Sequence, residues 1–207
     1  LLMPTSGDLK VDYHEYGSHY EKEVAHPGYY SNRLTKYNIK TEVTATPRTG
    51  LSRFTFPKGQ GNILLNLGEG LTNETGATVR FVSDTEIEGS KLMGTFCYNP
   101  QAVFPIYFVM QVNKTPKEKG YWKKQREMKG VEAQWDADAG KYKLYTKYTR
   151  EISGDDVGVW FKYDVAEQEQ IEVKIGVSFV SIENARENLK AEQPGFEFDK
   201  IASAARD

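Results

Sequence analysis

One cysteine, Cys97, stands in 207 residues, so no intramolecular disulfide can form and no thiol-rich metal motif exists. With no local cysteine motif around it, Cys97 reads as a small apolar core thiol rather than a nucleophile. There is no surplus of positive charge. The formal net charge is −2, which removes the basic footprint that nucleic-acid binding requires. No apolar run approaches the length of a membrane span, and no internal repeat, P-loop, GxSxG or dinucleotide glycine fingerprint occurs.

What is abundant is aromatic. Thirteen Tyr, ten Phe and three Trp favour strands over helices. A chain of this length buries roughly 70% of its unfolded surface and suits one large β domain.

The stretch from Glu23 to Pro57 is written as a β-meander. Period-two alternation predicts a strand over 29–35, a turn at Tyr37-Asn38, a strand over 39–46, a turn at Pro47–Gly50 and a strand over 51–57. It puts Tyr30, Asn32 and Leu34 on one face, Tyr29, Ser31 and Arg33 on the other. Further strands are expected at 62–67, 77–82, 85–89, 91–98, 103–112, 131–135, 141–149, 157–164 and 170–180. Residues 103–112 are apolar throughout, so a central strand is expected, with Pro105 marking a bulge or an edge segment. Residues 114–119 read as a polar loop. Ser181 caps a helix over Ile182–Glu192 that Pro194-Gly195 stops, and Asp199 is read as the cap of a last helix running to Asp207. The fold class is therefore mostly β: an antiparallel β-sandwich, supersandwich-like, with two short helices near the C-terminus.

Four constellations invite chemistry, each with a plainer reading. His14, His19 and His26 lie near Glu15, Glu21 and Glu23, but not at zinc-helix spacing. Asp136–Gly140 begins like a calcium loop, yet Lys147 stands where the bidentate Glu belongs, and a turn between strands accounts for it. Glu69, Glu74, Glu86 and Glu88 could in principle supply paired carboxylates. Glu86 and Glu88 share one strand face, however, and read as solvated surface. The tyrosines 13, 16, 20, 29 and 30 around His26-Pro27-Gly28 suit stacking on sugar rings, or packing of a long loop onto its sheet. Both remain open on composition.

The order HPGYYSNRLTKYNIKTEVTATPRTGLSRFTFP, then NILLNLGEG, then SFVSIENARENL resembles the N-terminal domain of glycoside hydrolase family 92, the bacterial α-mannosidases, from Leu1 to about Ala205. The resemblance implies a sandwich over residues 1–198, truncated at its start. Residues 199–207 would begin a linker helix toward an (α/α) barrel that this chain does not contain. It further implies a calcium-dependent, inverting parent, with Ca2+ and the acid and base in that barrel and no cofactor or catalytic residue in this piece. The implied partners are that barrel and mannose-containing glycans, with no nucleic acid and no membrane span. The implied location of the parent is the bacterial periplasm or cell surface. Glu23, His26, Tyr29 and Tyr30 are the candidates for the substrate or domain junction, since an irregular polar-aromatic stretch leads straight into the sheet there. The same likeness leaves room for a stand-alone carbohydrate-binding module.

Overall fold

A computed structural model describes residues 1–70, 74–94, 103–130, 137–147 and 150–206. Cys97, the expected strand at 131–135, and Asp136 lie outside them. Fourteen strands are described: β1 Leu2–Ser6, β2 Tyr20–His26, β3 Tyr29–Leu34, β4 Ile39–Ala45, β5 Thr49–Phe56, β6 Gly59–Asn66, β7 Glu74–Phe81, β8 Glu86–Gly94, β9 Val103–Val112, β10 Glu118–Lys124, β11 Tyr142–Tyr145, β12 Glu151–Gly154, β13 Val157–Val165 and β14 Glu169–Ser178. Helix α1 is Tyr13–Tyr16, α2 Ile182–Glu192 and α3 Phe198–Ala204.

Every described pairing is antiparallel. Five strands form one sheet in the order β1-β6-β13-β10-β11; nine form the other in the order β12-β7-β8-β9-β14-β5-β4-β3-β2. The main core lies between them, with Ile39, Phe54, Phe56, Ile63, Ile87, Met110, Phe161 and Ile171 almost fully buried. Alternating side chains of two facing sheets generate such a core. Along β14, Ile171 and Val173 are buried in this core, and the partly buried Ile175 and Val177 pack against it.

Both sheets are also covered on their outer faces. On the small sheet, Leu64, Trp122 and Trp160 lie beneath Val11 and Tyr16, delivered by the segment around α1. Asp12 caps that short helix by accepting from the His14 amide at 3.0 Å. On the large sheet, α2 buries Ala185 and Leu189 against Val109. Gly176 permits this approach, since a Cβ there would sit 2.5 Å from the Ala185 carbonyl oxygen. The Ser181 cap and the α2 bounds match the sequence expectation.

Several expectations need correction. The irregular stretch before His26 is a strand, β2. It lies at the sheet edge with every residue exposed, so it carries no apolar alternation to betray it. Residues 118–124, whose first two fall in the stretch read as a polar loop, form the interior strand β10, with Gly120, Tyr121 and Trp122 buried. The strands expected at 85–89 and 91–98 are one, β8, through Gly94. Helix α3 starts at Phe198, and Asp199 lies in its first turn; Glu197 takes the cap position without a side-chain bond. Pro105 pairs with Leu92 beyond Tyr107, where the β14 pairing stops. It thus sits in the edge segment of an otherwise central strand, where a missing N–H costs least.

Candidate functional site

The candidate junction is built on the β2–β3 hairpin. Its tip needs a left-handed residue, and Gly28 supplies one at φ +75°. The Thr44 hydroxyl donates to the Gly28 carbonyl at 2.7 Å, tying the tip to β4. Flanking the tip, the His26 ring stacks on Tyr29, with centroids 5.1 Å apart and planes at 19°. Tyr29 meets Phe198 of α3 edge-on at 6.3 Å. A Cβ on Gly28 would lie 2.5 Å from the Ala205 backbone, so hairpin tip and helix end touch.

Beneath α3 runs a row of charges across neighbouring strands: Glu42 on β4, Arg53 on β5 and Glu172 on β14. Arg53 grips Glu42 with two bonds, Nε to Oε2 at 3.0 Å and Nη2 to Oε1 at 3.1 Å. It also reaches Asp199 at 3.0 Å. Tyr29 donates to Glu42 at 2.8 Å, and Lys40 lies 2.9 Å from the same carboxylate. Burial alone would raise the Glu42 pKa, but the bonds from Arg53, Lys40 and Tyr29 more than reverse it and hold it at about 2. Glu172 shows the opposite balance. Its Oε2 is buried without a hydrogen bond, and burial pushes its pKa up. A carboxylate as thoroughly neutralised as Glu42 is poorly suited to general acid or base work, which needs a pKa near the working pH.

Tyr30 and Glu23 belong to the opposite face. Tyr30 donates to Glu23 at 2.7 Å and accepts from Asn32 at 3.2 Å, while Thr41 donates to Asn32 at 2.6 Å. The four sequence candidates therefore separate, as alternation requires. His26 and Tyr29 pack toward α3; Glu23 and Tyr30 form an exposed polar pair on the other side. Of the other tyrosines, Tyr16 is buried, packing its segment onto the small sheet, whereas Tyr13 and Tyr20 are exposed. Among the described residues, no three His, Cys, Asp or Glu side chains stand together in a way that could hold a metal ion.

Sequence reasoning missed Glu42, Arg53 and Glu172 because charges on a strand's outward positions read as solvated. The same error affected Glu86 and Glu88, which are not solvated surface. Arg186 of α2 covers and binds both, and Arg80 joins Glu88. Glu88 is only 5% exposed. Helices over the outer face convert that face into an interface, and β-alternation cannot announce this.

One end of the large sheet is apolar and open. Phe179 and Val180 are 67% and 73% exposed, and Val103, Phe104 and Leu92 are exposed with them. The Phe104 and Phe179 rings meet at 5.7 Å. Isolated exposed apolar residues are ordinary, but a contiguous set marks a contact surface.

Residues 1–178 match the family described as glycosyl hydrolase family 92 N-terminal domain. No curated protein matches the chain by sequence. Among solved structures, the family GH92 α-mannosidase BT3965 from Bacteroides thetaiotaomicron superposes with a TM-score of 0.81 at 25% identity. That superposition covers 100% of this chain and 27% of that one. The GH92 family glycosyl hydrolase ccman5 gives 0.80 at 23% identity, covering 100% and 27%. The family GH92 inverting mannosidase BT2199 from Bacteroides thetaiotaomicron VPI-5482 gives 0.76 at 20%, covering 99% and 25%. The two less similar structures speak for the fold alone. The chain spans about a quarter of the length of each.

Proposed function

The chain belongs to the glycosyl hydrolase family 92 N-terminal domain family, and from this membership we propose that it is the non-catalytic β-sandwich of a longer exo-α-mannosidase. One observation carries the reading: the whole chain superposes on just over a quarter of an α-mannosidase, at a TM-score of 0.81. In this reading residues 1–198 are the sandwich and α3 opens the connection to an (α/α) barrel. Calcium and the acid and base carboxylates of an inverting hydrolysis belong to that barrel. The side chains at the hairpin–helix junction do not fit a metal, and no reaction step is assigned to them.

The sandwich contributes support. Arg53, Phe198, Tyr29 and the Gly28–Ala205 contact hold α3 against the sheet, so whatever follows is held in a defined direction. The apolar end around Phe104 and Phe179 is the surface offered to the barrel, and the exposed Glu23–Tyr30 pair is offered to the outer part of a mannoside site. A periplasmic or cell-surface location accompanies this reading.

The test is an assay of the purified 207-residue chain on aryl α-mannosides and mannobioses, with and without calcium, together with calorimetry for binding. Neither hydrolysis nor saturable binding is expected. Hydrolysis by the chain alone overturns the proposal. Saturable mannoside binding without hydrolysis replaces it with a stand-alone carbohydrate-binding module.

A further inference from the structure

Among the described residues, three that are not glycine adopt left-handed backbone: Lys22 at φ +52°, Asn38 at +56° and Gln168 at +60°. They come from separate places, the β2 bulge, the β3–β4 turn and the β13–β14 turn. All three line a single cavity of about 170 Å³. A left-handed conformation crowds an ordinary residue's Cβ against the following carbonyl oxygen, and asparagine is one of the few residues that adopts it readily. Lys22 and Gln168 have no such excuse, since glycine would relieve both positions. Their side chains border the cavity instead.

The electrostatics of the lining are one-sided. Among the described residues it contains Lys22, Arg33 and Lys40 and no carboxylate. Arg33 donates from Nε to the Asn38 amide oxygen at 2.8 Å, a neutral acceptor that fixes the guanidinium without cancelling its charge. Lys22 forms no hydrogen bond or ion pair among the described residues. Lys40 contacts Glu42, but Arg53 already neutralises that carboxylate. Glu21, opposite Arg33 in the strand register, is exposed and forms no ion pair with it. Ser31 and Thr55, 4% and 8% exposed, also line the cavity, and among the described residues their hydroxyls have no hydrogen-bond partner. Cations at the rim over unused hydroxyl donors make a receptor for an anion rich in acceptor oxygens.

We propose that this cavity binds a small tetrahedral oxyanion, a phosphate or sulfate group, either free or as an ester. Lys22 and Arg33 supply the charge, Ser31 and Thr55 the neutral donors. The proposal stands apart from the mannosidase reading and does not depend on it.

Backbone amide spectra of the 15N-labelled chain, titrated with inorganic phosphate at constant ionic strength, test it. Saturable shifts confined to the amides around residues 22, 31–33, 38–40, 55 and 168 are expected, reproduced by sulfate and absent with chloride. The Lys22→Ala/Arg33→Ala double variant should weaken binding by about a hundredfold, since losing each charge-assisted bond costs about tenfold. Unchanged α2 amide shifts would certify its fold, and the exposed-site control Lys10→Ala should bind as the parent does. A glucose 6-phosphate arm separates the sources. Tighter binding than inorganic phosphate assigns an ester; equal or weaker binding assigns the free ion. Linear shifts, shifts shared with chloride or scattered over all lysines, or a double variant that binds normally would overturn the proposal.

Discussion

Arg53 places its guanidinium 4.3 Å from the centre of the Phe198 ring, so one side chain holds a helix from beneath and a carboxylate from beside it. Its planar fork serves Glu42 and Asp199 while its face serves the aromatic ring, a combination lysine cannot reproduce. Arg53→Ala leaves Glu42 buried without its main counter-ion, and a loss of about 3–5 kcal/mol is expected. Arg53→Lys should recover only part of it. Urea unfolding gives the magnitude, and hydrogen exchange in α3 shows where the loss falls. A loss under about 1 kcal/mol, the range of exposed ion pairs, would refute the clamp.

The two carboxylates beside Arg53 should respond to pH with opposite signs. Glu42 has a folded pKa of about 2, below the usual 4.5, so its contribution is complete above pH 4.5 and is lost as pH falls toward 2. After allowance for solvent screening, about 1–2 kcal/mol should disappear across that window, and Glu42→Gln should remove that share of the dependence. Stability measured between pH 5 and 2.5 checks this.

Glu172 carries a raised pKa in the folded state, caused first by burial. Its unfolded form ionises first as pH rises past 4.5, so the folded state loses stability over that interval and stays lower above it. Glu172→Gln should therefore stabilise the domain at pH 7, by about 0.5–1 kcal/mol given the value of relieving one unsatisfied buried oxygen. The gain should fade below pH 4.5. Destabilisation at pH 7 would show that Oε2 has a partner in solution.

Gly28→Ala forces a side chain into left-handed backbone and against the Ala205 backbone. A cost of about 1–3 kcal/mol is expected. Exchange should accelerate at the end of α3 and at the hairpin tip, with α2 unaffected. Unchanged exchange in α3 would mean that the helix does not rest on the hairpin.

Phe179→Ser with Val180→Ser removes the most exposed apolar pair without touching the core. Stability should stay within about 0.5 kcal/mol, as for ordinary surface changes. Sedimentation velocity at high concentration should show less self-association than the parent chain. A loss of stability would place these residues in the fold rather than on a docking surface.

The meander was legible because Ile39, Phe54 and Phe56 alternate with polar neighbours around obvious turns, and α2 was legible from Ser181 and Pro194. What stayed hidden was whatever a second layer decides. β2 is exposed throughout and shows no pattern. β10 hides Tyr121 and Trp122 among lysines whose long stems reach water from an interior strand. At the candidate site, alternation correctly divided Tyr29 from Tyr30. It could not show that helices would bury Glu42 and Glu88, because that depends on residues more than 90 positions away.

The meeting of Gly28 with Ala205 also has a mechanical meaning. Tension applied beyond α3 enters the sandwich through the hairpin of β2 and β3, at the rim of the nine-stranded sheet. There the load would peel hydrogen bonds open one after another instead of shearing many together. The helix and the outermost hairpin form a yielding hinge plate, and the two-sheet interior is spared the strain.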